Sequence, residues 1–198
     1  TKRTNHVIEA DIKGFFDNVS HYWMVQFLGV RIKDPSFLSL IDRFLKAGYC
    51  EADRIVETDQ GTPQGGNLSP VLSNIFLHYV LDLWFEKKVK SYVRGQAHLV
   101  RYADDFICMV QYPDDARRIE RALRARFSKF DLELHSEKTR TISFGRFERT
   151  DADKQNRKAN TFNFLGFTHY CHKSRMGKFI VGHKTSQKKF RAKCKEMN

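Results

Sequence analysis

Apolar residues Leu99 and Val100, then Phe106, Ile107, Cys108, Met109 and Val110, flank the tetrad Tyr102-Ala103-Asp104-Asp105. Apolar run, tight turn, apolar run predicts a β-hairpin over residues 98–111 with two carboxylates at its tip. Upstream, Val7-Ile8-Glu9-Ala10-Asp11-Ile12 predicts a strand that ends in an acid. A helix is expected from Ser20, as N-cap, towards Gly29. Asp34 as N-cap, Pro35 at the first position, apolar Phe37, Leu38, Leu40, Ile41, Phe44 and Leu45, and Gly48 as the stop predict a second. Residues 49–57 read as a strand or hairpin arm, and Gly61 to Gly66 as a loop. Ser69-Pro70 then opens a long, nearly all-round apolar helix to about Glu86, which is expected to be buried.

Ile119, Leu123, Phe127 and Phe130 recur at helical spacing, with Arg and Glu opposite, and predict an amphipathic helix over 114–130. Strands around 131–134 and 139–144 follow. Residues 145–160 are polar and aperiodic and read as a mobile loop. Thr161 to Tyr170 and Lys178 to Val181 predict a second hairpin, and residues 184–198 a basic, helix-prone end. The mixed order of elements predicts an α+β fold with an antiparallel sheet packed by helices on one face.

Charge sharpens this picture. Residues 138–198 hold 16 Lys/Arg against 4 Asp/Glu, whereas the remaining residues hold 19 of each, so the net charge of +12 sits entirely in the C-terminal third. A one-sided basic surface is the footprint of a nucleic-acid binder, with an anionic membrane surface as the weaker competitor. The longest apolar stretch, residues 71–85, contains Ser73, Asn74, His78 and Asp82, which makes it a buried helix rather than a membrane span. Cys50, Cys108, Cys171 and Cys194 form no C-x-x-C pair, so neither a disulfide framework nor a zinc site is expected. His169, Cys171 and His172 cluster, but strand alternation sets His172 on the opposite face from the other two. The sequence begins at Thr1, with no Met and no apolar leader, which suggests a piece of a longer protein.

Adjacent carboxylates in a half-buried stretch need a partner. A hairpin tip bearing them suits Mg²⁺, and an Asp-Asp pair also serves as an ordinary turn. Asp11 ends a different strand. If the two strands lie side by side, three carboxylates converge on the two-metal geometry of nucleotidyl transfer.

Five segments then occur in a fixed order. Asp11-Ile12-Lys13-Gly14-Phe15-Phe16-Asp17 resembles motif A of reverse transcriptases. Thr62-Pro63-Gln64-Gly65-Gly66 with Leu68-Ser69-Pro70 resembles motif B. Tyr102-Ala103-Asp104-Asp105 resembles motif C, Leu134-His135-Ser136-Glu137-Lys138-Thr139 motif D, and Phe164-Leu165-Gly166-Phe167 motif E, the primer grip. The wording of motifs B, C and E is most similar to that of group II intron-encoded reverse transcriptases, also called maturases.

The resemblance implies a polymerase palm over residues 1–183, with partial fingers helices at about 21–47, most of the fingers absent, and residues 184–198 starting a thumb-side helix of a thumb otherwise absent. It implies two Mg²⁺ ions, with Mn²⁺ as a substitute, held by Asp11 and Asp104, with Asp105 as auxiliary acid or turn cap. Ile12 would lend its carbonyl. Phe16 would exclude a 2′-hydroxyl, or else pack in the core as Phe15 does. Gln64 and Gly65, with Gly66, would approach the incoming deoxynucleoside triphosphate. Lys138 would stand near that triphosphate as a general acid. Tyr102, Phe164, Leu165 and Gly166 would hold the primer end, and Lys188, Lys189 and Arg191 the phosphate backbone. The implied partners are an RNA template, a DNA primer and a group II intron RNA, in a bacterial-type cytoplasm without a membrane. A non-catalytic RNA-binding maturase role, and a retron, CRISPR-associated or diversity-generating reverse transcriptase, stand as alternatives.

Overall fold

The computed structural model of the chain describes residues 3–47, 49–51, 54–56, 60–61 and 68–196. The fold is α+β, built from antiparallel sheets and helices. It divides into two compact units, one formed by residues 1–10, 92–120 and 136–198, the other by residues 11–91 and 121–135.

The first unit holds a four-stranded sheet in the order β4-β5-β1-β6, with β1 at His6–Ala10, β4 at Ala97–Tyr102, β5 at Asp105–Val110 and β6 at Arg140–Ser143. β1 is paired on both edges. Val7 faces Met109 and Ala10 faces Phe106 on one side, and Val7 faces Ile142 on the other. A second sheet, β7 (Thr161–Phe164), β8 (Phe167–Lys173) and β9 (Phe179–Thr185), carries the predicted second hairpin, with its last strand running further than the sequence suggested. Val7, Ile107, Phe144, Phe162 and Cys171 form one buried cluster that joins the two sheets, with Met109, Ile142 and Phe164 packed against it. Cys171 is therefore a core residue, while His172 is exposed.

Residues 145–160 are not a loop throughout. Glu148–Lys154 form a helix, here α6 of the chain. It is fixed by Glu148, whose side chain is 1% exposed and pairs with Arg157 through bonds of 2.6 and 3.2 Å. Glu148 also accepts the Asn160 N–H at 2.8 Å. A buried carboxylate needs such partners. The basic helix α7 spans Gln187–Glu196, so Lys184 and Thr185 belong to β9 rather than to the helix.

The second unit is mainly helical. α1 (His21–Gly29) follows Ser20, whose side chain makes no capping bond. Ser20 instead bridges Gln60 through its backbone. α2 (Pro35–Lys46) starts as predicted, with Asp34 accepting the N–H groups of Ser36 at 2.8 Å and Phe37 at 3.4 Å. Gly48, its expected stop, lies outside the described residues. A small hairpin of β2 (Tyr49–Glu51) and β3 (Arg54–Val56) matches the expected strand region. α3 (Ser69–Leu77) continues through π-helical stretches at His78–Asp82 and Phe85–Val89 into α4 (Lys90–Tyr92), past the predicted end. Its cap is Leu68, and it is not buried all round, since Val71 is 55% exposed. The first π stretch coincides with Arg126, which donates to the carbonyls of Val80 at 2.9 Å and Tyr79 at 3.1 Å. A side chain inserted into the backbone ladder widens a helix in this way.

α5 (Pro113–Ser128) buries Ile119, Leu123 and Phe127 of the predicted stripe, and Ala116 besides; Phe130, also buried, lies beyond the helix end. The expected strand at 131–134 shrinks to a single bridge between Ile12 and Leu134. No helix among the described residues is long and apolar enough to cross a membrane.

Candidate active site

Tyr102 pairs with Asp105, which closes a two-residue turn of Ala103 and Asp104. Ala103 has φ 52°, a left-handed conformation that a non-glycine residue adopts at a cost of about 1–2 kcal/mol. Arg101 donates from Nη1 to the Ala103 carbonyl at 2.8 Å, which ties the strained turn to its own strand. Asp104 is half-buried, Asp105 exposed, and Tyr102 stands 68% exposed. Behind the tip, Cys108 is fully buried, and burial pushes its thiol up, so it remains a neutral core group.

Ala10 faces Phe106, one residue beyond Asp105, and Asp11 is the residue that follows Ala10 in the chain. In its own unit, Asp11 accepts the His135 N–H at 2.8 Å through its backbone carbonyl, and Lys13 N donates to Glu133 O at 2.8 Å. Neither bond of this bridge uses the carbonyl of Ile12.

Next comes a 3₁₀ turn at Phe15–Asp17, entered through Gly14 at φ 53°. Phe15 is buried, and Phe16 is half-exposed with its ring 5.3 Å from that of Phe15. Gly61 sits directly behind it. A Cβ there would stand 2.9 Å from the carbonyl oxygens of Phe16 and Asp17. Gly61 N donates to Val19 O at 2.8 Å, and the buried His21 donates from Nε2 to the Gly61 carbonyl at 2.5 Å. Only glycine fits this approach at φ 91°. Sequence reading missed His21. Its one signal was a polar ring on the apolar face of α1. Gln64, Gly65 and Gly66 lie outside the described residues.

Phe164 pairs with Phe167 around Leu165 at φ 51° and Gly166 at φ 80°. Positive φ at both central positions is the tight hairpin turn that matches strand twist. Leu165 is 40% exposed at its apex. Ser186 N donates to the Gly166 carbonyl at 2.9 Å, and a Cβ on Gly166 would come within 2.5 Å of Lys189 Nζ. The Lys189 side chain therefore lies across the turn. Lys188 and Arg191 are exposed on the same helix. Lys138 is exposed in the turn before β6.

Among the described residues, no group of three His, Cys, Asp or Glu side chains is gathered into a metal cage. The donors in question, carboxylates and a backbone carbonyl outside the ladder, suit a hard divalent cation in their chemistry.

The sequence profile described as reverse transcriptase (RNA-dependent DNA polymerase) matches residues 1–169. Among curated proteins, the chain is 46% identical over 83 residues to the group II intron-encoded protein LtrA of Lactococcus lactis subsp. cremoris, covering 42% of this chain and 14% of LtrA. It is 31% identical over 134 residues to protein YkfC of Escherichia coli strain K12, covering 55% of this chain and 35% of YkfC. The chain thus spans about a third or less of the length of these relatives. Among solved structures, apo telomerase from Candida tropicalis truncated from its C-terminal domain superposes with a TM-score of 0.63 at 16% identity, over 92% of this chain and 36% of that one. At that identity the likeness concerns the fold.

Proposed function

The chain belongs to the reverse transcriptase (RNA-dependent DNA polymerase) family, and from that premise we propose that it forms the palm of a group II intron-type enzyme that extends a DNA primer on an RNA template. The observation that carries this reading is the strained tip at Tyr102–Asp105, which carries Asp104 and Asp105 at the end of β5, the strand paired with β1. Backbone strain of this kind gathers where a side chain must be aimed.

In this reading Asp11, Asp104 and the carbonyl of Ile12 hold two divalent ions, Mg²⁺ by preference, with Asp105 as an accessory acid. Such ions, when bound, favour the attacking 3′-oxygen and neutralise the leaving pyrophosphate. Mg²⁺ is held by one or two carboxylates together with substrate phosphates rather than by an all-protein cage, so the incoming nucleotide completes the site. Phe16, half-exposed beside the buried Phe15, lies under the sugar and leaves no room for a 2′-hydroxyl. Gln64, Gly65 and Gly66, which follow Gly61 in the sequence, would contact the incoming nucleotide. Lys138 stands on the triphosphate side and gives a proton to the leaving group, a contribution of about 10²–10⁴-fold for a well-placed acid.

The turn at Leu165 and Gly166, with Tyr102 and Phe164, holds the primer end. Lys188, Lys189 and Arg191 bind the phosphate backbone, with an affinity that falls as salt rises. A group II intron RNA is the template that fits the relatives.

The test is primer extension by the full-length protein on an RNA template. Asp104→Asn is expected to leave the fold intact and remove extension, and near-normal extension would take Asp104 out of the reacting centre. In the same assay Phe16→Ala raises ribonucleotide incorporation. Unchanged sugar selectivity would return Phe16 to the core.

A further inference from the structure

We propose that Glu9 is a positioning residue that clasps the primer-holding sheet to the strand leading into the reacting centre. Glu9 lies on β1, two residues before Asp11, on the same face as Val7. That face is where the two sheets meet through Val7, Ile107, Phe144, Phe162 and Cys171. Glu9 is a charged residue beside this apolar contact, and its side chain is 19% exposed.

Both of its oxygens are engaged. Oε2 accepts Arg140 Nε at 2.8 Å, across the β1–β6 pairing. Oε1 accepts the backbone N–H of Asn163 at 3.2 Å, in β7. Arg140 reaches on to the Thr161 carbonyl at 3.4 Å, so both arms end on the same short strand. β7 runs directly into the Phe164–Phe167 turn, and Asn163 also accepts from Thr168 Oγ1 at 2.6 Å on the far side of that turn. Apolar contact between two sheets resists separation but tolerates sliding, because dispersion is not directional. Hydrogen bonds to a carboxylate are directional and fix the offset. Glu9 therefore sets where the primer-holding turn stands relative to the end of β1. The primer role of that turn rests on the function proposed above, but the clasp itself does not.

Two measurements on the full-length protein test this. In steady-state primer extension, Glu9→Ala removes both hydrogen bonds to the carboxylate, raises KM for the primer–template at least about tenfold and leaves kcat within about twofold. Glu9→Gln keeps an acceptor for Asn163 and raises KM by less, about threefold. In hydrogen exchange, Glu9→Ala speeds exchange of residues 161–164 while β4 and β5 exchange as in the wild type. Glu9→Gln guards against a folding defect in the alanine variant. Unchanged KM in folded variants, or a fall in kcat at constant KM, overturns the positioning role. Unchanged exchange at 161–164 overturns the clasp. If the unmodified protein extends no primer, the polymerase reading fails, and exchange alone decides the clasp.

Discussion

Two hairpin tips in this protein open on a left-handed first residue and differ in what they carry. At Tyr102–Asp105 the first turn residue, Ala103, has φ 52°, and at Phe164–Phe167 the first turn residue, Leu165, has φ 51°. Neither position holds glycine, although glycine would relax both. The first tip carries two carboxylates and is braced from within, by Arg101 on the Ala103 carbonyl. The second carries an exposed apolar side chain and is braced from outside, by Ser186 N–H on the Gly166 carbonyl and by Lys189 lying over the turn. In the function proposed above, the tip that aims charge is held by its own strand, whereas the tip that receives a polymer is held by Ser186 and the basic helix after it. On that proposal the same left-handed first residue serves chemistry in one case and placement in the other.

The largest expected contrast lies in catalysis. Asp104→Asn lowers kcat for extension by about 10³-fold or more, since a metal ion supplies several kcal/mol of charge stabilisation. Leu165→Ala instead raises primer KM about tenfold with kcat little changed, the scale of one buried apolar contact. Equal effects on kcat at both tips would dissolve the distinction. A smaller effect is expected from Gly166→Ala. The new Cβ displaces the flexible end of Lys189 and leaves a strained φ of 80°, so stability falls by about 1–2 kcal/mol. Thermal unfolding, together with the salt dependence of RNA binding, reads both consequences, and an unchanged melting temperature would mean that the turn relaxes freely. The smallest effects are the opposite in sign. Ala103→Gly and Leu165→Gly each relieve left-handed strain and raise stability by up to about 1 kcal/mol after the entropy of glycine is subtracted. A loss of stability at either site would show that its side chain contributes more than its conformation costs.

Much of this was legible in the sequence. Apolar runs on either side of a tight turn gave the first hairpin, the apolar segments around Phe164 to Phe167 the second, the pairing of Asp34 with Pro35 the start of α2, and the spacing of Ile119, Leu123 and Phe127 the buried stripe of α5. The order of the motifs gave the family. Other features were hidden for physical reasons. α6 has no apolar period because it is held by the buried Glu148 and its pair with Arg157, a contact between two residues that both look solvated in sequence. The strand expected at 131–134 has suitable residues, but Asp131 at φ 62° turns the chain and leaves one bridge. Left-handed Ala103 and Leu165 carry no compositional mark, since the usual sign of such a turn is Asn-Gly. In the sequence Glu9 is only one residue of a predicted strand. The β1–β6 register sets Arg140 opposite it, and the packing of the second sheet brings the Asn163 N–H to it.

β1 is hydrogen-bonded along both edges, to β5 and to β6. Side chains alternate along a strand, so moving it by a single position would turn Val7 and Glu9 to the side now occupied by Ile8 and Ala10. The number of residues between His6 and Asp11 is therefore a quantity that genetic change cannot alter by one without inverting the strand. Insertions and deletions accepted elsewhere in the gene should stop short of these codons.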